Sequence, residues 1–135
     1  MEGLDKIYEM FLASSGIATD TRKINGREVF FALKGDNFNG NEYALNAVEK
    51  GCICAIVDEA KFCIDERFIL VEDVLSSLQD LAAYHRSKLG IPIVAITGTN
   101  GKTTTKELLV RVLTRTHIVH AVSYTHLTLP TIYSV

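Results

Sequence analysis

Ile93-Val94-Ala95-Ile96 runs directly into Thr97-Gly98-Thr99-Asn100-Gly101-Lys102-Thr103-Thr104, and a helical pattern follows. That order of apolar β-branched run, glycine loop and helix leaves few folds open, because it is the local plan of a phosphate-binding loop in an α/β layer. The run predicts a strand over 93–96 and a helix from about Thr103. Gly98 and Gly101 let the backbone curl so that N–H groups from Gly98, Thr99, Asn100, Gly101, Lys102, Thr103 and Thr104 converge on phosphate oxygens, with the positive end of the helix behind them. Lys102 is expected to reach the β- and γ-phosphates of a nucleoside triphosphate, the position from which it would act in catalysis. The Thr103 hydroxyl is expected on the bridging Mg2+. Ile96 stands where the general pattern has a small residue, so only the shorter core of the motif is present.

The rest of the composition narrows the partners. A chain of 135 residues holds one compact domain, or a small domain and the beginning of another. Its formal net charge of -2 leaves no basic excess for a nucleic-acid backbone. The amino-terminal residues carry mixed charges and no apolar stretch of signal-peptide type, and no later run reaches transmembrane length. A cytoplasmic protein without membrane insertion is expected. Cys52, Cys54 and Cys63 are odd in number, which argues for buried, reduced thiols rather than a disulfide framework. Cys52 and Cys54 are expected on one strand, facing the same side. No histidine or fourth cysteine lies near enough in sequence to complete a metal site.

Along the chain, Leu4, Ile7, Tyr8, Phe11 and Leu12 keep helical spacing up to Ser14-Ser15-Gly16. Residues 28–33 read as a buried strand, with the turn signal Asn25-Gly26 before it and the polar loop of residues 34–40 after it. Tyr43, Ala44, Ala47 and Val48 share a helical face, and strands are expected over 52–57 and 68–71. Asp73 is the expected N-cap of a long helix with Val74, Leu75, Leu78, Leu81, Ala82 and Leu89 on its apolar face. His85 reads as a solvated helix residue. Gly90 and Pro92 mark a boundary, after which Leu108, Leu109, Val112 and Leu113 are expected to form the buried face of the helix behind the loop. Ile118-Val119 begins a second strand of that part. Residues 122–135 contain no Asp, Glu, Lys or Arg and no clear period, and are expected to be a non-native tail.

The loop with its shortened core, together with Thr19-Asp20-Thr21-Arg22-Lys23, Val29-Phe30-Phe31-Ala32-Leu33-Lys34-Gly35 and Phe38-Asn39-Gly40-Asn41, resembles the Mur ligases of peptidoglycan synthesis. The resemblance covers residues 1 to about 121. It implies an α/β chain: a small substrate domain over 1–90, then over 91–121 the first strand, loop and helix of an ATPase-type central domain, cut short. It also implies an ATP- and Mg2+-dependent amide ligation through an acyl phosphate. Within the family, Ala32-Leu33-Lys34-Gly35 and Lys106-Glu107 are most similar to the branch that joins D-alanyl-D-alanine to a UDP-N-acetylmuramoyl peptide. The branch that adds the third stem residue, and a non-catalytic module that binds uridine nucleotide or ATP, remain open. Substrate contacts are implied for Thr19, Asp20, Thr21, Arg22, Lys34, Gly35, Asn39 and Gly40. From the residues alone, Asp20 and Arg22 read as a turn-capping acid and a surface ion pair, and Lys34 as a solvated charge at a strand end. The further metal ligands, the adenine pocket and the dipeptide domain of the family lie beyond residue 135, so the chain by itself is expected to be inactive, and to be a monomer.

Overall fold

The computed structural model describes residues 2–121; the tail expected over 122–135 lies outside the described residues. The chain divides into two compact units, the first ending at Lys88 and the second beginning at Leu89.

The first unit opens with α1 (Glu2–Ala13), which Ser14 closes by donating its hydroxyl to the Phe11 carbonyl at 2.6 Å. Strands β1 (Ile17–Ala18) and β2 (Val29–Phe31) follow, then a short hairpin of β3 (Lys34–Gly35) and β4 (Phe38–Asn39). After a 3-10 turn come α2 (Ala44–Glu49), β5 (Cys54–Val57), β6 (Phe68–Leu70) and α3 (Val74–Leu89). Strands β1, β2, β5 and β6 form one sheet in that order, and every pairing in it is parallel. The sheet explains why the chain reads as continuous apolar runs, since a parallel sheet is covered on both faces. Val29, Phe31, Cys54 and Ile56 point into a core closed by Ile7 of α1 and by Val74 and Leu81 of α3. Phe30, Ala32, Ala55 and Val57 point the other way, against Ala44, Ala47 and Val48 of α2. Register matches size on that face: Ala55 stands between Phe30 on β2 and Phe68 on β6, so the small side chain makes room for the two rings. Full burial of Phe30, Phe31 and Ile56 stabilises the unit by about 1.5–3 kcal/mol per side chain.

Several expectations shift by a turn or a face. Leu12, Leu75 and Leu89 are exposed, and Ala82 with them. The sheet covers only one stripe of each helix, so apolar residues on the neighbouring stripe stay in water; Met10 takes the place expected for Leu12. His85 is half-buried, with its ring edge-on to Phe11 at 4.9 Å and Nδ1 3.3 Å from the Tyr8 hydroxyl. Cys52 and Cys54 face opposite cores. The strand starts only at Cys54, and Cys52 still belongs to the turn leaving α2, its N–H donating to the Ala47 carbonyl at 3.1 Å. Burial pushes both thiols up to about 11.

The tight turn before β2 rests on a buried acid. Glu28 accepts the Asn25 N–H at 2.7 Å and the Gly26 N–H at 2.8 Å, which lets Gly26 and Arg27 hold positive φ. The Asn25 N–H foremost, against the opposing effect of burial, holds this carboxyl below its ordinary 4.5. A folded-state value below the unfolded one contributes stability above pH 4.5, and that contribution disappears as pH falls through the folded value. In thermal unfolding from pH 7 to pH 3, Glu28→Gln is therefore expected to be less stable at pH 7 and to lose less on acidification. Parallel pH curves for the two proteins would contradict this.

The second unit contains α4 (Lys102–Leu113). The strands expected from Ile93 and Ile118 shrink to isolated β-bridges at Ile93 and His120. Leu109, Val110 and Leu113 line a small gap with Val94, Ile96 and Val119, whereas Leu108 and Val112 are 59% and 65% exposed. No residue of α4 is buried, and its partly covered stripe is rotated from the one expected, because the described residues supply apolar neighbours on one side of α4 only. Among the described residues no helix is long and apolar enough to cross a membrane.

Candidate functional site

Among the described residues two places have the geometry of a site, one in each unit. In the first, Thr19 and Asp20 leave the carboxyl end of β1, and the β3–β4 hairpin leaves the carboxyl end of the adjacent β2. Loops at the carboxyl ends of parallel strands are where α/β sheets hold ligands. Here they enclose an open cavity of about 530 Å³ lined by Thr19, Asp20, Thr21, Arg22, Phe30, Phe38 and Tyr43. Its volume lies in the range of small-molecule sites.

Asp20 shapes the polar wall. Its Oδ1 accepts the Arg22 N–H at 2.9 Å and so caps the 3-10 turn Thr21–Lys23. The same carboxylate receives the Arg22 guanidinium at 2.7 Å, which holds Asp20 well below the usual carboxylate range. The turn cap and the ion pair are thus both present. The guanidinium side chain remains 85% exposed at the rim. Lys50, at the end of α2, donates to the Thr21 carbonyl at 2.9 Å and supports the turn from behind. The apolar wall is an aromatic pair that residue reasoning did not assign: Phe38 and Tyr43 stack with ring centroids 5.1 Å apart and planes 17° apart, both half out of the protein. Tyr43 had the spacing of a core residue, but it precedes α2 and turns outward. Its signal in the sequence was an aromatic placed three residues beyond the polar loop ending at Gly40.

Lys34, Gly35, Asn39 and Gly40 do not line this cavity. Lys34 Nζ sits 2.8 Å from Asp58 and 3.2 Å from Glu59. Asn39 bonds Glu59 and Asn41. Gly35 is a rung of the hairpin, and Gly40 is buried with its N–H on the Leu33 carbonyl. These residues lie in and just after the hairpin that carries Phe38, outside the lining of this cavity.

The second place is the loop before α4. Gly101 occupies the N-cap with φ 78°, a left-handed conformation natural to glycine, and Lys102 begins the helix. A glycine offers no side chain to cap the first-turn N–H groups, so Lys102, Thr103 and Thr104 present theirs to solvent at the positive end of α4. Gly98, Thr99 and Asn100 are exposed beside them. Among the described residues no carboxylate forms an ion pair with Lys102, in contrast to Lys34. Open N–H donors, an adjacent lysine and a helix-start threonine fit a polyphosphate and its cation. Among the described residues no group of three or more His, Cys, Asp or Glu side chains is placed to hold a metal ion without such a ligand.

Comparison with known proteins covers both units. UDP-N-acetylmuramoyl-tripeptide--D-alanyl-D-alanine ligase of Bacillus subtilis is 39% identical over 107 residues, 78% of this chain and 23% of the relative. The enzyme of the same name from Synechocystis is 39% identical over 108 residues, again 78% of this chain and 24% of the relative. Among solved structures, MurF ligase from Thermotoga maritima in complex with ADP superposes with a TM-score of 0.69 at 28% identity, covering 78% of this chain and 24% of that one. The chain therefore spans about a quarter of the length of the curated relatives it matches. With a model described as Mur ligase family, catalytic domain, matching residues 14–93, the chain belongs to the Mur ligase family.

Proposed function

We propose that this chain is the substrate-binding and phosphate-loop portion of an ATP-dependent ligase that joins D-alanyl-D-alanine to a UDP-N-acetylmuramoyl-tripeptide in the cytoplasm, acting as a monomer. The observation that carries the reading is the presence of both sites on one polypeptide whose similarity to the Bacillus subtilis ligase extends over 107 residues, more than the first unit alone contains. The domain division proposed is a substrate domain over 1–90 and the beginning of a central ATP-binding domain over 91–121.

The chemistry asks for both parts. A carboxylate is a poor electrophile, so the terminal carboxylate of the peptide must first accept the γ-phosphoryl group, and the amine of the dipeptide then displaces phosphate. Charge on the transferring oxygens has to be neutralised throughout. Lys102 and the N–H groups of residues 98–104 would supply that at and before the start of α4. Mg2+, when bound, would neutralise phosphate charge further, with the Thr103 hydroxyl as the ligand this chain offers. The cavity of the first unit suits the uridine end of the substrate: a flat aromatic wall for the base, hydroxyls of Thr19 and Thr21 for its edge, and the Arg22 guanidinium at the rim for the diphosphate.

Titration of the chain with the UDP-linked tripeptide, followed by NMR, is expected to shift amides of Thr19–Arg22 and Phe38–Tyr43, and titration with ADP those of residues 98–104. No shift of either group at millimolar ligand would remove the reading. In a polypeptide of the relatives' length, ADP release should depend on the tripeptide substrate together with D-alanyl-D-alanine. Release that instead requires the shorter UDP-linked dipeptide and a diamino acid would assign the chain to the branch adding the third residue.

A further inference from the structure

Behind the cavity lies a cluster of polar side chains that neither site uses. Asn41 is 0% exposed, and its amide is fully engaged by two segments. Nδ2 donates to Asn39 Oδ1 and to Asp58 Oδ1, each at 2.9 Å, while Oδ1 accepts the Asp58 N–H at 3.1 Å. Lys34 closes the other side on Asp58 and Glu59. Asn39 donates to Glu59 at 2.8 Å. Asp58 and Glu59 follow the carboxyl end of β5, whereas Lys34 and Asn39 belong to the hairpin and Asn41 comes just after it.

The hairpin pairs only Lys34 with Asn39 and Gly35 with Phe38. So short a ribbon has no stable position of its own. We infer that Asn41, Asp58 and Lys34 are positioning residues of the cavity: they lock the β3–β4 hairpin to the end of β5 and so fix Phe38 in the aromatic wall. The inference rests on the reading of the cavity as a uridine-nucleotide site. Charge matching separates this role from direct contact with the ligand's phosphates. Asp58, whose side chain is 9% exposed, is matched by Lys34, and Glu59 is matched also by Lys61 at 3.1 Å. The Lys34 charge is thereby consumed inside the protein. Partial burial pushes the Asp58 carboxyl up, but Lys34 and Asn41 outweigh it and keep the group ionised. Asn41 and Lys34 therefore hold a charge that the fold would otherwise have to leave without a partner.

The test compares Asn41→Ala, Lys34→Met and Lys34→Arg in the whole chain, with uridine and uridine 5′-diphosphate as probes. In the free proteins, nuclear Overhauser contacts between the Phe38 and Tyr43 rings are expected to vanish in Asn41→Ala and Lys34→Met and to return in Lys34→Arg. Both probes should bind about tenfold more weakly to the first two variants, by the same factor, and normally to the third. Lys34→Met changes a half-exposed side chain, so it serves as the variant if Asn41→Ala does not fold. Ring contacts that persist in the variants overturn the inference. Weakening of the diphosphate alone also overturns it, by making Lys34 a phosphate contact. If the unmutated chain binds neither probe, the uridine reading falls, while the ring contacts of the free proteins still decide whether the cluster positions the hairpin.

Discussion

Replacing Lys102 by alanine is expected to lower ADP-forming ligation by about 10²- to 10³-fold in a polypeptide of the relatives' length, and to leave stability unchanged or slightly higher. The two halves of this expectation have one origin. Lys102 is the first residue of α4, where a positive side chain faces the positive end of the helix dipole. Such a placement costs about 0.3–1 kcal/mol when exposed, and alanine is the better helix former. On the proposed reading, a lysine there without a carboxylate partner among the described residues meets its anion when ligand binds. Activity and thermal midpoint measured on the same preparation check both halves. Ligation within a few-fold of the unmutated protein would remove Lys102 from the reaction, and a lower midpoint would show that its role is in the fold.

The contrast between Lys102 and Lys34 shows which parts of the site can be read from residues alone. The phosphate loop is a local object: Gly98, Gly101, Lys102 and Thr103 lie within six positions, and backbone geometry follows from that spacing. The first unit is legible for a related reason, since Val29-Phe30-Phe31-Ala32 and Cys54-Ala55-Ile56-Val57 are apolar throughout, as strands covered on both faces must be. Lys34 is different. Its role depends on Asp58, which the fold brings to it from the end of another strand, and nothing in the loop around Lys34 announces that partner. Tyr43 and Cys52 were misplaced at element ends, where one residue decides the facing: α2 begins at Ala44 and β5 at Cys54, each later than the apolar pattern suggests. On α4, apolar residues ring more than one stripe, so periodicity alone could not separate Leu109 and Leu113 from Leu108 and Val112.

Gly40→Ala is expected to destabilise the first unit by about 3 kcal/mol, a fall of roughly 12 °C or more in its unfolding midpoint. The cause is space, not backbone conformation. A Cβ at Gly40 would overlap the Leu33 carbonyl oxygen, the Ala32 carbonyl carbon and the Leu33 nitrogen. All three are backbone atoms, and that backbone is held: the Ala32 N–H donates to Ile56 at 3.0 Å, the Leu33 N–H to Phe31 at 2.9 Å, and the Gly40 N–H to Leu33 at 2.9 Å. Either the end of β2 leaves the sheet, or the hairpin lifts away and carries Phe38 out of the cavity wall. Gly35 is the internal control, because it lies in the hairpin that Gly40 directly follows. A Cβ there would meet only the Phe38 Cβ, at 4.0 Å, so Gly35→Ala is expected to change stability by less than about 0.5 kcal/mol. Urea unfolding of the two variants beside the unmutated chain separates the cases. If they lie within about 1 kcal/mol of each other, the close approach of Gly40 to β2 is not what holds this corner together; a large gap, with uridine binding weakened in Gly40→Ala alone, ties the packing of one glycine to the shape of the cavity and to its proposed role.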